Sequence, residues 1–284
     1  MKTREDVLQI GAIGRVDPAS LLHFFPQLHR RDRLLSQLGW SLIMFAGLFS
    51  VLFVTNPVLV GGVNAWIKPI KFNMSFGMYA WTVGWWFGYL RLRAKTMSVL
   101  RWSFFVTIAV EIAAIGVQAV RDAVFPHTLT TVFDLALTGT MSTMIFVNTC
   151  LVIWMLVIFC QKDHSMAPAY LWAVRLGIVI FLVGNAIGGQ MLAHHAHTIG
   201  APDGPSAMPF LNWSTIAGDL RISHFLSIHA IQVLPLIVFV IEAVRPRWSE
   251  GRQKLIVFVS AAFYSAFVVA TWIEAMLGIP LMRI

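Results

Sequence analysis

Charge is what this sequence has least of. Only 12% of its 284 residues are Asp, Glu, Lys or Arg, about half the share of an ordinary soluble domain. A soluble globule of that length needs a charged skin, and so few charges cannot supply one. Disorder is excluded as well, because 58% hydrophobic and 13% aromatic residues is the reverse of a disordered composition. Cysteine is nearly absent. Cys150 and Cys160 stand ten positions apart, about 15 Å along a helix and beyond disulfide reach, so both read as buried apolar residues. The first 38 residues hold no apolar core of signal-peptide length. A phosphate-cradling Gly-rich loop of the P-loop kind and a G-x-S-x-G nucleophile elbow are missing too.

What is present is a series of long charge-free runs. Residues 34–67, 72–90, 135–161, 176–202, 222–241 and 255–273 contain no Asp, Glu, Lys or Arg, and 102–120 contains one, Glu111. Each is long enough to cross ~30 Å of hydrocarbon as a helix. The alternating period of an outer-membrane barrel is absent, since these runs are apolar all round. The expected fold is an all-α membrane protein, a bundle of seven transmembrane helices near 40–60, 73–91, 99–121, 136–160, 169–195, 222–244 and 254–277. Residues 1–38 form an N-terminal cytoplasmic segment and 39–284 the membrane domain. Within the first part, 20–38 mixes apolar and basic residues, as a helix lying on the membrane surface does.

Orientation follows from Lys and Arg. With the N-terminus inside, sixteen fall on the cytoplasmic side and five on the other, which predicts a cytoplasmic N-terminus and a periplasmic C-terminus. The net charge of +8 is then explained by topology and lipid contact, with no call for nucleic acid. The expected location is a bacterial inner membrane.

Ionisable residues inside spans are costly and mark function by default. In the third span, Glu111, Gln118 and Asp122 share one helix face. In the fifth, Gln190, His194 and His197 do so if the helix persists that far. The sixth opens with Asp219 and Arg221 and continues with His224, His229 and Gln232. The seventh carries Ser260, Tyr264, Thr271 and Glu274. Lys68 and Lys71 flank Pro69 just before the second span and break the positive-inside pattern. With the orientation above, nearly all these groups lie in the outer half of the bilayer, which predicts a polar pocket open to the periplasm and lined by the third, fifth, sixth and seventh spans.

Imidazoles on two neighbouring helices suit a transition metal or the axial positions of haem b. His194, His197, His224 and His229 are the candidate ligands. Lys68, Lys71, Arg221 and Gln232 are candidates for holding a cofactor or a small anionic or quinone-like molecule. Glu111, Asp219 and Arg221 are the candidate catalytic residues, Glu111 handling protons and Asp219 orienting an imidazole. A redox- or metal-linked site is the leading expectation. The alternative is a proton-coupled transporter or permease using Glu111, which requires polar residues through the inner half; Asn148, Ser260 and a few hydroxyls are available there. A third possibility is an assembly or sensory subunit, with a partner chain or a second copy completing the site.

Two stretches carry a resemblance. W-x-K-P-x-K-F at residues 66–72 and G-D-L-R-x-x-H-F-x3-H-x-x-Q at 218–232 resemble patterns in bacterial multi-pass membrane proteins of uncharacterised function. That resemblance implies a membrane fold and no activity. Seven-helix hydrolases with an intramembrane zinc are similar in span count, but they place an H-x3-H pair on the last helix, where this chain has no histidine. Nor does its last span carry the lysine a retinal-binding protein needs.

Overall fold

The computed structural model describes residues 24–60, 62–124, 131–161, 166–204 and 207–283, the side chains of 122–124 excepted. Most of the expected N-terminal segment, and the first residues of the surface helix read at 20–38, lie outside that set. The helices are α1 (Phe24–Arg31), α2 (Arg33–Thr55), α3 (Ile67–Phe87), α4 (Ala94–Val124), α5 (Val132–Cys160), α6 (Pro168–His194), α7 (Leu220–Val244) and α8 (Glu250–Met276). Two short hairpins, β1 (Leu59–Val60) with β2 (Val63–Asn64) and β3 (Thr198–Ile199) with β4 (Gly218–Asp219), join α2 to α3 and α6 to α7. The described residues divide into two compact units, one within 28–87 and 91–152, the other within 24–27, 88–90 and 153–283.

Six helices are long and apolar enough to cross a membrane: α2, α4, α5, α6, α7 and α8. The seventh expected crossing forms α3, which has 21 residues and is about 31 Å long. It falls outside the apolar set because Lys68, Lys71, Asn73, Tyr79 and three tryptophans sit among its aliphatic residues. The ends of the spans are fixed by caps rather than by the edges of the charge-free runs. Asp32 accepts from the Leu35 N–H and starts α2 seven residues before Trp40. Asp219 and Ser249 do the same for α7 and α8, and Pro168 stands in the first turn of α6, where a missing N–H costs nothing.

In the first unit α2 and α3 lie close together. A Cβ at Gly39 would run into the Trp81 indole, whose Nε1 donates to the Ser36 carbonyl at 3.3 Å. Asp32, its side chain fully buried, also pairs with Arg101 of α4 at 2.5 Å. Arg31 donates to the Trp85 carbonyl and lies over the Trp85 ring. These contacts tie the start of α2 to the end of α3 and the first turns of α4.

The second unit is built on α6, α7 and α8. Ala169, Ala173, Ile180, Ala230, Leu234 and Val238 are among the buried residues of its core, with Val257, Ala261 and Val268 from α8. Small residues let α6 and α7 meet backbone to backbone, as membrane helices do without a hydrophobic drive between them. A Cβ on Gly184 would come within 2.7 Å of the Ser227 Cβ. Tyr264 of α8 donates to the Leu226 carbonyl at 2.6 Å. The cysteines correct an expectation: Cys150 and Cys160 are both exposed on α5, so neither is packed inside the protein.

Candidate functional site

The candidate residues fall into two groups, one in each unit. In the first unit Glu111 of α4 is 3% exposed. Its Oε2 has no hydrogen-bond partner among the described residues, and Lys68 is near enough for its charge to act on the carboxyl. Lys68 Nζ donates to Gln118 Oε1 at 3.1 Å, so the expected face of Glu111 and Gln118 meets the expected lysine. Asp122, read on that face, is outside the described side chains. Lys71 lies one turn on from Lys68 in α3, beside the buried Asn73, whose Nδ2 donates to the Pro69 carbonyl at 2.9 Å and whose Oδ1 is buried with no partner among the described residues.

From Glu111 toward the start of α4 the polar side chains continue. Thr107, one turn away, receives a hydrogen bond from Asn148 Nδ2 at 3.0 Å. Asn148 Oδ1 in turn accepts from the Tyr79 hydroxyl at 2.7 Å. Thr107 donates onward to the carbonyls of Ser103 and Phe104. Three helices, α3, α4 and α5, thus share one buried hydrogen-bonded chain. Tyr79 and Thr107 are almost fully buried. Of these groups, only Asn148 was singled out by sequence reasoning as a polar residue of the inner half. Its signal was there: an amide in a run of 27 residues otherwise free of charge and amide until Gln161 must find partners or leave hydrocarbon.

In the second unit, α6 ends at His194, and His195 caps it in the left-handed conformation (φ 50°). The helix does not persist to His197, so the expected face of Gln190, His194 and His197 is broken. Gln190 itself accepts from Trp272 Nε1 at 3.1 Å. His194 and His195 are exposed. His197 Nδ1 lies 2.7 Å from Asp203 Oδ2, and Asp203 also receives the backbone N–H groups of His197 and Thr198 and the Thr198 hydroxyl. Partial burial pulls the Asp203 proton affinity up. The Thr198 hydroxyl, the His197 N–H and the His197 ring outweigh it and hold the carboxyl below the usual carboxylate range. Sequence reasoning missed Asp203, which lies in the Gly- and Pro-rich loop where no periodicity points to a partner.

Asp219 is 1% exposed. It caps α7 by accepting from the Arg221 N–H, takes the Ser214 N–H at 2.7 Å, and pairs with the Arg221 guanidinium at 2.7 Å. Arg221 also donates to the Asn212 carbonyl. Both residues are therefore engaged in the turn that opens α7. His224 Nδ1 sits 2.8 Å from the Gly184 carbonyl; since a carbonyl only accepts, Nδ1 carries the proton and Nε2 is left as an acceptor or ligand. His229 faces the Phe225 ring with centroids 4.5 Å apart. Gln232, three residues on, has a buried Oε1 without a partner among the described residues. No group of three metal-ligating side chains gathers among the described residues.

The apolar helices and their buried polar groups define the class: a helical, multi-pass membrane protein in contact with lipid. No protein-family model matches the chain, and no match was found to a curated protein or to a solved structure.

Proposed function

We propose that this chain is a proton-coupled permease of a bacterial inner membrane, with Glu111 as the group that takes up and releases the proton. The observation that carries the reading is the Glu111 carboxyl itself: 3% exposed, with an oxygen lacking any hydrogen-bond partner among the described residues, in the middle of a spanning helix. A carboxyl kept there at such cost has a task. Polar groups extend from it both ways, through Lys68 and Gln118 toward one end of the unit and through Thr107, Asn148 and Tyr79 toward the other. The second arm leaves Glu111 in the direction opposite to Lys68, as transport needs and a one-sided pocket does not. The topology that goes with it has α3 as a seventh crossing, the N-terminus and residues 1–38 cytoplasmic and the C-terminus periplasmic, as the excess of Lys and Arg on one side favours. A small organic anion attracted to Lys68 and Lys71 is the expected cargo.

Proteoliposomes loaded with a pH dye, given an inside-negative potential and a panel of small carboxylates outside, test the reading. Wild-type protein is expected to carry protons inward with one of the carboxylates and Glu111→Gln to lose that flux. Equal flux in the variant would remove Glu111 from the role.

A second reading has one observation in its favour. His224 donates a hydrogen bond from Nδ1 to a backbone carbonyl, the arrangement that orients a ligating imidazole. With His194 or His197 as partner it would hold haem b or a transition metal, which would supply electron transfer. Asp219 and Arg221 serve there as the cap that positions α7. The absorption spectrum and metal content of purified protein decide it; a haem band lost in His224→Ala supports the redox reading, and no band with no stoichiometric metal ends it.

A further inference from the structure

The end of the first unit where α2 starts, α3 finishes and α4 begins carries five exposed cations: Arg30, Arg33, Arg91, Arg93 and Lys95. Among the described residues none of the five makes an ion pair or a side-chain hydrogen bond. The one acidic side chain among the described residues of this end, Asp32, is buried and already paired with Arg101. Arg91 and Arg93 lie in the short loop from α3 to α4 and Lys95 in the first turn of α4, and the elements on either side of that loop are tied to α1 and α2. Arg31 is clamped to Trp85 at the end of α3, Asp32 to Arg101 in α4, and Leu28, Asp32 and Leu35 close around Gly84.

Depth is marked independently. Trp40 is 44% exposed and Trp102 53%, and they stand seven residues along α2 and α4 from Arg33 and Lys95 respectively. Exposed indoles on spanning helices settle at the boundary between hydrocarbon and headgroups. Seven residues of helix is about 10 Å, and the headgroup layer is about 5–8 Å deep on each side. The five cations therefore fall at or just beyond the level of the lipid phosphates, within the reach of flexible side chains.

We propose that this end of the first unit is a docking site for the phosphate groups of anionic phospholipids. Five cations at one end of the unit, with no exposed carboxylate described beside them, fit several phosphodiesters at once. A guanidinium grips each of them through paired donors. The site is separate from the proton chemistry proposed above and stands whether or not Glu111 carries protons.

The test uses the full chain in phosphatidylcholine bilayers doped with phosphatidylglycerol, followed by native mass spectrometry of the released protein. The readout is the ratio of retained anionic to zwitterionic lipid. Wild-type protein is expected to enrich phosphatidylglycerol, more strongly at low salt than at high. The variant R91Q/R93Q/K95Q is expected to lose that enrichment, by about fivefold for each cation removed at low ionic strength. R91K/R93K, which keeps the charge, should retain at least half of it. R247Q/R252Q, which removes cations from the second unit, should leave the ratio unchanged. The proposal is overturned by an unchanged ratio in the triple variant, by an equal loss from R247Q/R252Q, or by loss in the charge-keeping variant. It is also overturned if free inorganic phosphate at millimolar concentration displaces the lipid, since the site would then be one for phosphate in solution.

Discussion

Removing Asn148 separates two ways of accounting for the buried polar chain. In Asn148→Leu the Tyr79 hydroxyl loses its acceptor in a place where it is almost fully buried. Thr107 loses a donor to its oxygen but keeps its own bonds to Ser103 and Phe104. One orphaned hydroxyl is therefore the main cost, about 1–3 kcal/mol by the desolvation of an unpaired buried group. Interhelical hydrogen bonds measured in membranes are weaker, averaging about 0.6 kcal/mol with a maximum near 1.7, because an orphan finds other partners. Tyr79 is almost fully buried, so the upper part of that range applies, and a loss of about 1.5 kcal/mol is expected. Tyr79→Phe leaves only Asn148 short, which is half-buried, and should cost about 0.5 kcal/mol. In the double variant the orphan is gone, so the costs should fall short of adding by about 1 kcal/mol. Reversible unfolding in mixed micelles measures all three. Strict additivity would refute the chain as drawn, since it would mean Tyr79 and Asn148 do not bond in the folded protein.

Further outcomes follow from the packing and the loop. Gly184→Val should destabilise by about 2 kcal/mol or more through overpacking, since even a Cβ added there would meet Ser227 at 2.7 Å. Gly116→Val is the control, with nothing within 4 Å of its Cβ; thermal melts in detergent that lower both equally would contradict the close approach of α6 and α7. The Asp203 carboxyl is held below its ordinary range, so its contribution is fully present above the unfolded value of about 3.9 and fades only as pH falls through the lower folded value. Amide exchange at His197 and Thr198, corrected for the intrinsic rate, should thus stay protected down to about pH 4; protection lost well above that pH would contradict the part given to the Asp203 carboxylate.

Much of the fold was legible because burial in lipid leaves few solutions. Charge-free runs of about twenty residues read directly as spanning helices. Their ends were not, since Asp32, Asp219 and Ser249 cap helices that reach beyond the apolar run, and a cap is one side chain rather than a pattern. α3 read as a crossing like the others, but its tryptophans and Asn73 make it the least apolar of the seven, a difference that charge counting ignores. Glu111 was legible as a lone charge in a long apolar run, and Lys68 as a cation on the wrong side. Asn148 was visible as an amide, while its link to Tyr79 and Thr107 was not, because uncharged partners 69 and 41 residues away leave no local trace. The histidines failed differently. Their helical spacing assumed a straight α6 past residue 194, and the left-handed turn at His195 sends His197 to Asp203.

The central claim is that Glu111 changes protonation while buried in the membrane. Infrared difference spectroscopy of the reconstituted protein across a pH titration measures this directly. The account predicts a protonated-carboxyl C=O band that appears and disappears over the titrated range and is missing from Glu111→Gln. A Glu111 carboxyl that stays in one protonation state over that whole range, or a titrating band that survives the substitution, would contradict it.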